Sequence, residues 1–158
     1  AQVDGFINPE TEEFAEAQTT VRVCHTSDAL YIAVYAREPR MSTMASAMSD
    51  RDTPLWQEES FAVVLQPTGK PEYRFVVNPL GTQFDSRDGN EEWNGEWSVA
   101  TKTWPVGWSA RSRFRLRRSA RTPAKTIGRS ILCARAATSK TSVRCGCIRV
   151  MERRREVY

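Results

Sequence analysis

The chain predicts an all-β fold, an incomplete antiparallel, jelly-roll-like β-sandwich carrying an irregular basic C-terminal tail. Three observations point there. Short segments of alternating apolar and polar residues recur with turn residues about every 10 positions, which is the spacing of strands in a sandwich. Helical periodicity is sparse throughout. And the charge breaks sharply: through Ala110 there are 8 Lys and Arg against 17 Asp and Glu, net −9, whereas residues 111–158 carry 15 against 2, net +13. The 158 residues are about one domain long.

Taken in order, Val3-Asp4-Gly5-Phe6-Ile7 opens the chain and Asn8-Pro9-Glu10 reads as a turn. Residues 12–17 fit either a helical turn or an acidic loop. Residues 19–24 and 30–35 alternate on either side of His25-Thr26-Ser27-Asp28, a hairpin with Val21 and Val23 on one face and Leu30, Ile32 and Val34 across from them. Pro39 ends that hairpin because it lacks a ladder donor. Residues 41–54 form a long surface loop, of the kind that often carries function. Residues 61–66 and 73–78 make a second hairpin around a Pro67-Thr68-Gly69-Lys70-Pro71 turn, and a short strand ends at Phe84. An acidic loop over 85–95 follows, then strands at 97–101 and from Gly107. Leu30, Ile32, Val34, Phe61, Val63, Phe75 and Val77 are the expected core.

The chemistry-bearing stretch is Trp56-Gln57-Glu58-Glu59-Ser60-Phe61, where a Trp on an acidic loop runs into an apolar strand. A Trp face offers a rigid apolar plane with a polar edge, suited to the C–H face of a sugar ring. A nucleophile elbow, a phosphate-binding Gly loop and a zincin helix are missing. Asp85, Asp88, Glu91 and Glu92 could form a glycosidase acid/base pair, but on one Gly- and Asn-rich loop they read rather as solvated side chains or a structural calcium site. With a single His, His25, and Cys145-Gly146-Cys147 as the nearest approach to a ligand motif, a zinc site is not expected, and no cofactor is called for. The chain begins without Met or a leader-like segment, and no run reaches the roughly 18 apolar residues of a membrane span.

The order Val3-Asp4-Gly5-Phe6-Ile7, Val21-Arg22-Val23, Leu30-Tyr31-Ile32-Ala33-Val34, Trp56 to Phe61, Phe75-Val76-Val77-Asn78-Pro79-Leu80-Gly81 and Gly107-Trp108-Ser109-Ala110 resembles carbohydrate-binding module family 9. The resemblance covers nearly all of residues 1–110, the N-terminal portion of such a domain. It implies a sandwich that binds sugars without catalysis, as an appendage of secreted xylanases and other polysaccharide-degrading enzymes, hence extracellular or periplasmic. A terminal sugar of xylan or glucan would be clamped between two Trp rings. Trp56 matches the first ring and Asn78 a polar sugar-contacting position. Ala62 and Val76 stand where the resemblance implies a Glu and an Arg, and no Trp follows Trp108. The expected partner is carbohydrate, with neither nucleic acid nor membrane, and the chain is expected to be monomeric.

After Gly107-Trp108-Ser109-Ala110 the pattern calls for Glu, an alternating apolar stretch and Pro. Residues 111–116, written AGA TCG CGA TTC CGC TTG after a codon ending in G, read one base back as Glu-Ile-Ala-Ile-Pro-Leu. Continuing in that frame yields an acidic segment containing Trp-Thr-Val-Asn-Leu-Val and restores two late Trp residues. Residues 111–158 are therefore expected to be out of frame. Two rival readings remain: a basic arm, with Arg117, Arg118, Arg121 and Arg153 to Arg155 on phosphates, and a related DOMON-type haem sandwich using His25, Met41, Met44 or Met48.

Overall fold

The structure, a computed structural model, describes residues 1–7, 12–15, 17–43, 46–66 and 70–116, together with the backbone of 131–138 and 142–149. Two five-stranded antiparallel sheets face one another. The first has strand order β1 (Gln2–Val3), β2 (Thr19–His25), β3 (Ala29–Arg37), β8 (Gly107–Arg115), β7 (Trp97–Trp104). The second runs β10 (Ser142–Arg149), β9 (Ile131–Thr138), β4 (Ser60–Gln66), β5 (Tyr73–Val77), β6 (Gln83–Arg87). No α-helix occurs among the described residues, and no helix there is long and apolar enough to cross a membrane. The Asn8-Pro9-Glu10 turn, residues 67–69 and Met44 lie outside the described residues.

Local chemistry sets the hairpins. At the β2–β3 turn Thr26 Oγ1 donates to Asp28 Oδ1 at 2.6 Å and accepts the Ala29 N–H at 3.2 Å, so short polar side chains replace ladder bonds where the chain reverses. This fixes the register Val21↔Val34 and Val23↔Ile32, and β8 continues it with Val34↔Ala110. At the far end of β6, Asp88 and Gly89 both take positive φ, +47° and +79°, between Arg87 and its bridge partner Asn90. Consecutive left-handed residues match the right-handed twist of the flanking strands, and Asp-Gly is the pair that tolerates them.

Inward-facing residues of both sheets interdigitate in one core: Phe6, Val21, Val23, Ile32, Val34, Phe61, Val63, Phe75, Val77, Trp108, Ala110 and Phe114. The seven expected core positions are all there, Leu30 packed against the cluster from its rim. Trp97 stacks on Phe114 with centroids 5.4 Å apart and planes 8° from parallel, so the aromatic end of the core closes by offset stacking. A second, smaller cluster of Leu55, Val76 and Phe84, with Met48 and Ala62, lies on the opposite side of the second sheet. Strand alternation demands this, because Val76 sits between the inward Phe75 and Val77.

Two expectations are revised, and of one open pair the loop alternative stands. Asp85 belongs to β6, not to the acidic loop; it is fully buried because three donors converge on its carboxylate. Residues 12–17 form no helical turn where described; Phe14 instead bridges to Ile7. The irregular tail expected from residue 111 is regular in part. Strand β8 runs through Ala110 to Arg115, since Ser112 and Phe114 face the interior while Arg111, Arg113 and Arg115 face solvent. The backbone of β9 pairs antiparallel with β4, from Ser60↔Ala137 to Gln66↔Ile131, and β10 pairs with β9. The physical reason is the free ladder edge of β4, which offers a row of donors and acceptors to any strand that reaches it.

Candidate functional site

The loop that delivers Trp56 is folded by its own backbone. Thr53 Oγ1 donates to Asp50 O at 2.8 Å, Asp52 takes φ +63°, and Pro54 leads into a single 3-10 turn over Leu55–Gln57 in which Gln57 N donates to Pro54 O at 3.0 Å. One residue per face follows from so short a turn. Leu55 is completely buried in the Val76–Phe84 cluster and Trp56 points outward, 47% exposed. The Trp56 ring meets the buried Phe84 edge-on, centroids 5.0 Å apart and planes at 83°. That contact holds the ring while leaving about half of the residue open to solvent, as a stacking platform requires.

Polar anchors hold the loop that precedes the platform. Arg51 donates through Nε to Asn94 Oδ1 at 2.9 Å, through Nη1 to Gln83 Oε1 at 3.2 Å, and through Nη2 to Asp85. Asp85 also accepts the Gly95 N–H and the Trp97 indole N–H, both at 2.7 Å. One buried carboxylate thus ties the loop before Trp56 and the loop after β6 to the same edge strand.

Glu58 and Glu59, which the sequence suggests are exposed acids, are both buried and turn opposite ways. Glu59 accepts the Trp108 indole N–H at 3.0 Å inside the main core. Glu58 lies under the Trp56 loop, where its Oε1 accepts from Asn78 Nδ2 at 2.7 Å and its Oε2 from the Ala47 and Met48 N–H groups at 2.8 and 3.2 Å.

Asn78 is therefore placed beneath the Trp56 loop and not beside the ring. It has no exposed surface; its Nδ2 also donates to Met48 O at 2.8 Å and its Oδ1 accepts the Thr82 N–H at 2.9 Å. Both ends of the amide are engaged by protein. Ala62 and Val76 form a cross-strand pair and pack in the small cluster, so the sheet face under the platform is apolar. Phe84 and Arg51 were missed as site residues, and Glu58 and Asp85 were read as loop acids, not as buried anchors. Phe84 had a signal, as an apolar strand residue in cross-strand register with Val76; the polar three have partners distant in sequence.

The other candidates are scattered. His25 is exposed at the end of β2, Met41 packs against the main core and Met48 lies in the small cluster, so they do not converge on a haem. Asp88 accepts the Glu72 N–H at 2.8 Å, and no group of three His, Cys, Asp or Glu among the described residues could hold a metal ion. Two concavities lie away from Trp56. One of about 460 Å³ on the first sheet includes Arg22, Tyr31, Arg111 and Arg113, and one of about 660 Å³ at an end of the sandwich includes Tyr73, Arg87 and Trp93.

No family model matches the chain, and no curated protein does. Solved structures match. A family 9 carbohydrate-binding module from Caldicellulosiruptor kristjanssonii in complex with cellotriose is 14% identical, TM-score 0.63, over 90% of this chain and 71% of that one. A family 9 module from the same organism with glucose is also 14% identical, TM-score 0.63, over 96% and 86%. A candidate carbohydrate-binding protein from Bacteroides uniformis is 10% identical, TM-score 0.64, over 99% and 81%. At such identities the likeness speaks to architecture: the chain has the β-sandwich fold of family 9 carbohydrate-binding modules.

Proposed function

We propose that this chain is a non-catalytic carbohydrate-binding module that presents Trp56 as a stacking platform for a glucan or xylan chain. The observation that carries this is the Trp56 ring, half exposed yet held edge-on by the buried Phe84. A held ring loses little freedom on binding, and that lowers the ordering cost of each contact. The structural neighbours hold cellotriose and glucose, which makes a β-linked glucan the first ligand to test. Attachment to a secreted polysaccharide-degrading enzyme, an extracellular or periplasmic location and a monomeric state belong to the same proposal.

Affinity should be weak. With one ring and an apolar sheet face beneath it, stacking supplies most of the binding free energy, and a Kd on the order of millimolar is expected. Trp56→Ala should abolish saturable binding of cellotriose and xylotriose in calorimetry while leaving the unfolding midpoint within a few degrees. Undiminished affinity in that variant would remove Trp56 from the site.

The reading-frame expectation is part of this proposal. It rests on the sequence pattern alone; a position it would change inside β8 is Ser112, 6% exposed and paired with Ile32 and Val99. The shifted frame puts Ile there. Nucleotide sequencing of the codons for residues 111–158 tests it: the alternative frame should encode Glu-Ile-Ala-Ile-Pro-Leu at its start, and a string lacking that segment would refute the idea.

A further inference from the structure

A Trp platform binds only as well as it is held, and contact with Phe84 alone leaves the loop free to slide along an apolar face. Leu55, Val76 and Phe84 supply burial without direction. Hydrogen bonds supply direction. Beside the Arg51 bonds to β6, a buried group supplies them: Asn78 Nδ2 to Glu58 Oε1 and to Met48 O, Thr82 N to Asn78 Oδ1, Thr82 Oγ1 to Met48 O at 2.8 Å, and Ala47 and Met48 N–H to Glu58 Oε2. Met48 precedes Trp56 on the loop and Glu58 follows it. Asn78 and Thr82 flank the β5–β6 turn, which Gly81 closes with φ +88° and an N–H bond to Asn78 O at 3.0 Å.

We propose that Asn78 and Glu58 are positioning residues for the sugar platform: together they lock both ends of the Trp56 loop to the β5–β6 turn and set the presentation of the ring without touching ligand. The proposal rests on the reading of Trp56 as a stacking surface. It replaces the contact role that the resemblance implies for Asn78. Its chemical signature is complementarity, because an amide donor faces a carboxylate acceptor, and the pair can be exchanged between the two positions.

The test compares four forms of the full chain: wild type, Glu58→Gln, Asn78→Asp and the double variant. Glu58→Gln sets an amide against an amide, and Asn78→Asp sets a carboxylate against a carboxylate; the double variant restores an N–H···O bond at that contact in the reverse direction, while Met48 O keeps only the Thr82 hydroxyl as a side-chain donor. Each single change should speed hydrogen exchange of the Ala47 and Met48 amides about tenfold or more. It should also displace the Trp56 indole N–H signal and weaken cellotriose binding several-fold. Relative to Asn78→Asp, the double variant should recover part of all three, which a general loss of stability would not produce. The Trp108 indole, buried on Glu59, reports the global fold. Where a single variant loses that signal, Thr82→Val, which deletes only the side-chain bond to Met48 O, takes its place with the same expected direction.

Singles that leave the Trp56 signal and the two amides unchanged would overturn the proposal, as would a double variant no better than Asn78→Asp alone. Cellotriose that moves nothing in wild type would defeat the sugar reading instead, while exchange and indole shifts would still decide the positioning role.

Discussion

Trp56 and Phe84 show how much one aromatic pair decides. An edge-to-face contact is worth about 0.5–1.5 kcal/mol beyond its buried area, enough to favour one ring pose over the alternatives on an exposed turn. Phe84→Leu keeps most of the buried volume and removes that contact. It should weaken cellotriose binding by about threefold to tenfold with little change in fold, as read by titration and by the unaltered Trp108 indole signal. Trp56 was legible from its place between a polar loop and an apolar strand. The burial of Glu58, Glu59 and Asn78 was not, because a carboxylate or amide in sequence does not disclose its partner. Here the partners are Met48, Trp108 and Thr82, brought together only by the packing of loop on sheet.

Elements were legible where alternation was clean. Strands β2 and β3 follow their apolar period almost residue for residue, and their hairpin carries its own turn chemistry, whereas β4 and β5 are apolar on both faces. Strand β6 was cut short in the sequence reading because Asp85 looks like a loop residue; inside, it gathers Arg51, Gly95 and Trp97. Asp85→Asn should therefore cost about 1–3 kcal/mol in urea unfolding, because an amide has one acceptor oxygen for the three donors. Loss of Arg51 should cost at least as much, since it leaves the buried carboxylate without its charge partner. In β8, Ser112 offers the opposite prediction. Ser112→Val adds apolar atoms at a buried position and should stabilise by about 1 kcal/mol in the same assay. Destabilisation would mean that the Ser side chain is itself required between Ile32 and Val99.

At the scale of the whole molecule, two sheets enclose one core and leave the Trp56 loop on the outer side of the second sheet, away from the main interior. The charge break at Ala110 was visible in composition, but β8 crosses it without interruption, since two inward residues among five satisfy a strand regardless of the arginines between them. The central claim is that Trp56 is the surface that meets sugar. The five Trp indoles give five signals in one spectrum, so titrating the labelled chain with cellotriose to tens of millimolar tests the claim directly. The Trp56 signal should move along a saturable curve while that of buried Trp108 stays still. Movement of the Trp93 signal alone, or of none of the five, would contradict it.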